Sequence, residues 1–365
     1  MKKIIHLFYR FQMGGSENLA VSIIKNDQNF QHVIVILQGK SDFQIYCEDQ
    51  FKINFINLNF KTRSFLSYKN WKLLISALRK IRPDIIQSYM YDGSKYARFL
   101  GFILNTPVFI YIVNTYSHKK IRRGIFNYFF SFMTYKVIVN SEEVKSDVIK
   151  IDNVPLKKIH LLESFANLNF KKNYNLFIRK KLNIKKTDYL FLFIARLVEQ
   201  KGIDYLIEAF DICINKKKIK KLKLIIVGDG ELMIYFIKKI IDYKLTQHIY
   251  LVGEDPNLDP YLTEADAYVD SSIRSGLSVA AIKALEANLP TIMTDVGGVR
   301  KLSDNGKYLS IFPPADSHAL ASAIINLISK KNNTKIDSRQ YVKNKFSDVL
   351  VSKNIITLYK EALKI

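Results

Sequence analysis

The feature that most constrains this chain is an alternation along its whole length. Short β-branched runs take turns with longer stretches of helical period. The pattern predicts strands over Ile4–Tyr9, His32–Leu37, Ile53–Ile56, Asp84–Ser88, Val108–Val113 and Val137–Asn140, with amphipathic helices such as Ser16–Lys25, Trp71–Ile81 and Glu142–Ile151 between them. Strands separated in this way by helix-length crossovers build a parallel sheet from βαβ units. A basic, Asn-rich stretch, Lys171 to Asn175, has no period and reads as a linker. The alternation then restarts with strands expected over Tyr189–Ile194, Leu222–Val227, Ile249–Val252, Ala267–Val269 and Thr291–Thr294. These runs are apolar on both faces, as buried parallel strands should be. Two helices are expected from Asp337 to Ile365.

The restart sets the domain plan. At 365 residues the chain has room for two domains. We expect a Rossmann-like domain over 1–165, a second over 166–345, and a terminal helix over 346–365 that packs back toward the first. The fold class is α/β, two doubly wound domains facing across a cleft. In such folds ligands lie beyond the carboxyl ends of the strands. A hydrophobic content of 48% against 24% charged residues excludes a disordered chain. Cys47 and Cys213 stand alone, without the spacing of a zinc site or a disulfide framework, which fits a reducing compartment. The apolar run Ile4–Leu7 lacks a cleavage signal and reads as a first strand rather than a signal peptide. The longest apolar segment, Ile125 to Met133, contains Asn127 and is too short to span a bilayer.

Four motifs sit where chemistry is expected. Gln12-Met13-Gly14-Gly15-Ser16-Glu17 follows the first strand and opens a helix. Two glycines allow close backbone approach and free N–H groups favour an anion, although an ordinary strand-to-helix turn has the same look. Arg196 and Lys201 flank the turn after the first strand of the second series, ending in Gly202. Arg offers a fork and Lys a point charge to a diphosphate, while two solvated surface cations would read alike. Gly228-Asp229-Gly230 follows the next strand. Its third glycine is absent, so it reads as a tight turn lining a cleft rather than a dinucleotide fingerprint. The densest motif runs from Ser271-Ser272-Ile273-Arg274-Ser275-Gly276-Leu277-Ser278 through a helix to Asn288, then Leu289-Pro290 and Asp295-Val296-Gly297-Gly298.

Taken together and in this order, with Arg98-Phe99-Leu100-Gly101 and Val139-Asn140-Ser141-Glu142, these motifs resemble the GT-B glycosyltransferases of family 4, a retaining group. The resemblance covers nearly the whole chain. It implies that Arg196 and Lys201 hold the donor diphosphate and stabilise the charge on the leaving nucleotide. The backbone of Gly276, Leu277 and Ser278 would face the same group, with Gly228, Asp229 and Gly230 beside it and Gly14 and Gly15 closing over it. Ser275 and Lys283 would face the sugar and the ribose. It implies no cofactor and no essential metal, and no Asp-x-Asp occurs in the chain.

The chain departs from that family at several places. The Glu-x7-Glu pair falls on Ser275 and Lys283, and a further Glu after the Gly-Gly pair falls on Lys301. Glu286, on a similar helix face to Lys283, is a candidate substitute. The usual interdomain Pro-Asn-Gly-x-Asp reads Glu163-Ser164-Phe165-Ala166-Asn167, and a common His position reads Val113-Asn114-Thr115.

A formal net charge of +23 favours an anionic partner, although Lys on solvated helix faces is an equally plain origin for it. Residues His118 to Lys136 mix Lys119, Lys120, Arg122 and Arg123 with Phe126, Tyr128, Phe129, Phe130 and Phe132. A membrane-docking helix and a core helix with a solvated start share that pattern, and His118 is a candidate acceptor-side base. No nucleic-acid motif is present, so none is expected as a partner. The reading is a transferase that moves a hexose from a UDP- or GDP-sugar to a glycan or lipid-linked acceptor, with retention. The product would be a surface glycan such as a capsule or lipopolysaccharide, made in the cytoplasm or at the inner face of the cytoplasmic membrane. The alternative is a catalytically silent partner subunit of the same fold.

Overall fold

The computed structural model describes residues 1–365 apart from 13, 63, 114–126, 163–164, 167, 169, 171–176 and 330–336, and the backbone alone at Glu143. These residues divide into two compact units, Met1–Glu163 with Asp348–Ile365, and Ser164–Ser347.

In the first unit, β1 (Lys3–Phe8), β2 (Gln31–Ile36), β3 (Phe55–Asn57), β4 (Ile85–Tyr89), β5 (Val108–Ile112), β6 (Lys136–Val139) and β7 (Ile159–Leu161) make a seven-stranded sheet. Its order is β3-β2-β1-β4-β5-β6-β7 and every pair is parallel. β4 and β5 are buried at every residue, because helices cover both faces. α1 (Gly15–Asn26) and the helix Asp348–Leu363 pack together. α3 (Tyr68–Ile81) contributes Leu74 and Leu78, and α4 (Met90–Leu104) contributes Tyr96, Ala97 and Leu100, to a core with Ile5, Leu7, Ile86 and Val108. α2 (Asp42–Phe51) and α3 begin where Ser41 and Ser67 accept the N–H of Gln44 and Asn70, which satisfies donors that the first helical turn leaves open.

A buried polar chain threads this unit. Asp27 Oδ2 meets His32 Nε2 at 2.8 Å, His32 Nδ1 meets His6 Nε2 at 2.9 Å, and His6 Nδ1 meets the Tyr89 hydroxyl at 2.8 Å. His6 is fully buried, and burial first, then the neighbouring His32, hold its pKa well below the ordinary value. The hydroxyl of Tyr359, from the terminal helix, donates to Gln87 Oε1 at 3.1 Å.

In the second unit, β8 (Tyr189–Ile194), β9 (Leu222–Val227), β10 (Ile249–Leu251), β11 (Ala267–Asp270), β12 (Thr291–Thr294) and β13 (Ser310–Phe312) form a parallel sheet in the order β10-β9-β8-β11-β12-β13. One face packs on Leu206, Ile207 and Phe210 of the helix Ile203–Asp211 and on Leu320 and Ile324 of Ser317–Ser329. The other packs on Ile282 and Leu285 of Val279–Glu286 and on Val342 and Phe346 of Ser338–Phe346. Each such fully buried Leu, Ile or Phe contributes about 1.5–3 kcal/mol by removal from water.

In both sheets the chain steps outward and then returns to the far side of its first strand. β1 lies between β2 and β4, and β8 lies between β9 and β11. Such reversals open a crevice at the carboxyl ends of the strands. The expected strands all appear, displaced by at most two residues at their ends. β7 and β13 are additional short strands that the alternation does not predict. The expected linker at 171–175 lies outside the described residues. No helix among the described residues is long and apolar enough to cross a membrane.

Candidate functional site

Four loops converge at the carboxyl end of the second sheet. The loop after β8 carries Arg196 and Lys201 and ends at Gly202. Gly202 has φ +60° and starts the helix Ile203–Asp211, and a Cβ there would lie 2.1 Å from the Ser271 carbonyl oxygen. Only glycine allows both the left-handed backbone and that approach. The same seam is tied by Ser271 Oγ donating to the Lys201 carbonyl at 3.0 Å and by Ile273 N–H donating to the Gln200 carbonyl at 2.9 Å.

The loop after β9 folds against the first one. Leu197 N–H donates to the Asp229 carbonyl at 2.9 Å and Leu232 N–H to the Leu197 carbonyl at 3.1 Å. The Asp229 carboxylate accepts the Gly230 N–H at 2.6 Å and is exposed. After β11, the buried Asp270 accepts Ser272 N–H and Oγ–H at 3.0 and 2.6 Å, while Thr294 Oγ1, at the end of β12, donates to the Ser272 carbonyl at 2.5 Å. After β12, Gly297 has φ +56°, and a Cβ there would lie 1.9 Å from the Ser275 carbonyl oxygen. Ser278 caps the helix Val279–Glu286 by accepting Ala281 N–H at 3.3 Å.

The predicted residues therefore fall in three places. Arg196, Lys201, Gly228, Asp229, Gly230, Ser275, Gly276, Leu277 and Ser278 lie on these four loops, brought together by the hydrogen bonds and close approaches above. Lys283 lies further along the helix Val279–Glu286, partly exposed on the side away from the buried Ala281, Ala284 and Leu285. Gly14 and Gly15 belong to the first unit, at the carboxyl end of β1 where α1 begins. Among the described residues neither Arg196 nor Lys201 has an ion pair or a side-chain hydrogen bond, and both reach solvent. Arg300, by contrast, is paired to Asp295.

Glu286 is corrected as a substitute for Lys283. It is only 2% exposed, and its Oε1 accepts the Phe170 N–H at 2.9 Å. Burial raises its pKa, and the carboxylate is committed to holding the chain at Phe170. The Lys301 carbonyl accepts the Tyr341 hydroxyl at 2.7 Å, and its side chain is exposed. Among the described residues no His, Cys, Asp and Glu cluster suits a metal ion. Met13, Asn114, Thr115, His118, Lys119, Lys120, Arg122, Arg123, Phe126, Glu163, Ser164 and Asn167 lie outside the described residues.

Glu17 shows a feature that motif reading passes over. It occupies the third position of α1, and its carboxyl folds back over Gly14, so that a Cβ on Gly14 would lie 2.8 Å from Oε2. Burial pushes its pKa up to about 7, against the opposing backbone N–H groups of Glu17 and Gln12. A Glu three residues after a helix N-cap was the available signal.

Known proteins resemble the chain in sequence and in fold. An uncharacterized glycosyltransferase of Methanocaldococcus jannaschii is 31% identical over 223 residues, 59% of this chain and 52% of the relative. This chain thus spans about half that relative's length. The capsular polysaccharide biosynthesis glycosyltransferase CapM of Staphylococcus aureus is 24% identical, covering 82% of each chain. The UDP-Gal:alpha-D-GlcNAc-diphosphoundecaprenol alpha-1,3-galactosyltransferase of Escherichia coli is 24% identical, covering 92% of each. The crystal structure of Anabaena HepE in complex with UDP-glucose superposes with a TM-score of 0.86 at 17% identity, over 99% of this chain and 100% of that one. The architecture is therefore that of the GT-B glycosyltransferases, with two Rossmann-like parallel-sheet units. Residues 175–346, the span that carries the four converging loops, match the family of glycosyl transferases group 1.

Proposed function

We propose that this chain transfers a hexose from a UDP- or GDP-sugar to a glycan or lipid-linked acceptor in surface polysaccharide biosynthesis, as a retaining enzyme of family 4 with an altered Glu-x7-Glu motif. The observation that carries the reading is the pair of cations without ion pairs among the described residues, Arg196 and Lys201, on the loop after β8 at the carboxyl end of the second sheet. Two cations left unpaired in a protein are suited to an anion that arrives from solution. In the reaction the acceptor hydroxyl oxygen bonds to the anomeric carbon on the same face from which the diphosphate oxygen departs, and the hydroxyl proton passes to that departing oxygen. The electron pair leaves with the nucleotide, and Arg196 and Lys201 meet its charge. Gly276, Leu277 and Ser278, at the start of the helix Val279–Glu286, offer backbone N–H groups to the same diphosphate. Neither cofactor nor metal is needed for this chemistry. The UDP-sugar named for the E. coli relative and the UDP-glucose of the Anabaena structure support a UDP donor.

The second reading, a silent partner subunit, draws on Ser275, Lys283 and Lys301, and on the diversion of Glu286 to Phe170. A ribose diol is best held by a carboxylate accepting two hydrogen bonds, whereas Lys only donates. Release of UDP or GDP from a panel of UDP- and GDP-sugars, with and without membrane extract, separates the two. The enzyme reading expects release from one donor class and a fall of about 10²–10³-fold in kcat for Lys201→Ala. No release from any donor, together with no binding of UDP or GDP, would leave the partner reading standing.

A further inference from the structure

We propose that the exposed face of the helix Met233–Asp242 is a self-complementary contact to a second copy of this chain. The inference goes beyond the transferase reading and does not depend on it. The helix is apolar on two opposite sides. On one side Phe236 and Ile240 are buried and share the core with Leu206 and Phe210 of the helix Ile203–Asp211. On the other side Ile234, Ile237 and Ile241 recur at the spacing i, i+3 and i+7, which lines one face of a helix. These three are 82%, 44% and 56% exposed, and Tyr235 beside them is 49% exposed. A surface helix of a monomer turns polar residues to water, whereas a helix that is apolar all round is a covered helix. The stripe runs about 10 Å along the axis at 1.5 Å per residue, a length that a second helix of the same size covers.

The stripe is presented rigidly. Lys239 Nζ donates to Asp204 Oδ1 at 2.5 Å and to Glu208 Oε1 at 2.9 Å, and the Tyr235 hydroxyl donates to Asp204 Oδ1 at 2.9 Å. These bonds fasten the helix to its neighbour Ile203–Asp211 and offset the charge of Lys239.

Charge identifies what covers the stripe. The chain carries a formal net charge of +23, so two copies repel unless they meet where that charge is cancelled. From Glu231 to Lys244 it is cancelled. With Lys239 paired, the charges left are Glu231 and Asp242 against Lys238 and Lys244, all four exposed and without ion pairs among the described residues. Their placement is also symmetric. Glu231 stands three residues before the stripe and Lys244 three residues after it. A two-fold axis through the midpoint of the stripe reverses one helix against the other. It sets Ile234 opposite Ile241 of the second copy, keeps Ile237 beside the axis, and sets Glu231 opposite Lys244 at both ends at once. The two helix dipoles then run antiparallel, which is their favourable arrangement. A bilayer surface would call for Lys and Arg around the stripe rather than two carboxylates. An unrelated partner would need no acid and base placed evenly about a midpoint, whereas a two-fold contact needs that self-complementarity.

The test is sedimentation velocity of the full chain over a dilution series. The wild-type chain should form a dimer that dissociates on dilution. Ile237→Glu/Ile241→Glu should raise the dissociation constant about 10²-fold or more, since apolar residues at the centre of a contact carry most of its affinity. Both positions are exposed, so its far-UV spectrum and its UDP affinity should be unchanged. Glu231→Lys and Lys244→Glu, made as separate chains, read the register. Each alone sets like charges together at both ends and should self-associate about tenfold more weakly. Mixed, the two chains restore opposite charges at both ends, so the mixture should dimerise as the wild-type chain does. High salt should shrink the difference between mixed and separate chains. The inference is overturned if the wild-type chain is monomeric at every concentration, if the isoleucine variant dimerises undiminished, or if the two charge variants pair no better together than apart. UDP affinity is measured separately, so a failure here is distinct from a failure of the donor-site reading.

Discussion

Glu17→Gln should make the protein more stable at pH 8 and leave it nearly unchanged at pH 5. The reasoning follows from the position of the carboxyl group, which burial pushes from an ordinary 4.5 up to about 7. Between those two values the folded chain holds a proton that the unfolded chain has released. The stabilising contribution of that proton is therefore fully present below pH 4.5 and is lost as pH rises through 7. A displacement of about 2.5 pH units at 1.36 kcal/mol each sets an upper limit of about 3.4 kcal/mol at pH 8, and the partial exposure of the side chain reduces it toward about 2 kcal/mol. Gln has the same shape and keeps an oxygen for the N–H groups of Gln12 and residue 17, but it has no charge to desolvate. For a unit of this size, 2 kcal/mol corresponds to a change of roughly 4–8 °C in melting temperature. The assay is thermal unfolding of wild type and variant across pH 5 to 8, read as the difference between them, so that every other titrating group cancels. A difference that stays constant with pH, or a variant less stable at pH 8, would refute the burial argument. A carboxyl resonance titrating near pH 4.5 would refute it equally.

Three further outcomes follow from the geometry. Gly297→Ala should destabilise by about 2–3 kcal/mol, from the left-handed backbone and from a Cβ 1.9 Å from the Ser275 carbonyl. It should weaken UDP binding as well, seen in denaturant midpoints and UDP titration. Gly15→Ala is its control, because nothing lies within 4 Å of that Cβ, and it should be neutral or stabilising by up to about 1 kcal/mol. His6, held neutral by burial, should make stability fall as pH drops below 6.5, by at most about 1.36 kcal/mol per pH unit. His6→Gln should flatten that slope in urea denaturation between pH 6.5 and 5, whatever its absolute stability.

How much of this was legible beforehand depended on the reach of each signal. The inner strands β1, β4, β5, β8 and β9 could be read because a strand buried on both faces must be apolar at nearly every position. That is a local property of the chain. The restart of the alternation after residue 171 announced two sheets for the same reason. The edge strands β7 and β13 escaped the pattern, whereas β3 and β10, equally short and equally at the edge, did not. The motifs marked loops at strand ends, since glycine, a cation and a helix cap are local requirements of a strand-to-helix turn.

What those loops do to one another is a matter of tertiary structure. That Gly202 lies against Ser271, and Gly297 against Ser275, follows from the strand order β9-β8-β11-β12, which no residue encodes by itself. Glu286 looked free on its helix until the chain at Phe170 took its carboxylate. Arg98, part of a family-like motif, proved fully buried between Thr134 and Asn127. The unusual proton affinity of Glu17 arises from burial beside Gly14, and the isoleucines of the helix Met233–Asp242 became a surface only when Phe236 and Ile240 turned inward. Local pattern determined which segments became strands, helices and turns, because those choices depend on near neighbours. Which groups ended up buried, paired or left free was decided by packing, because desolvation and hydrogen bonding depend on residues far away in the chain.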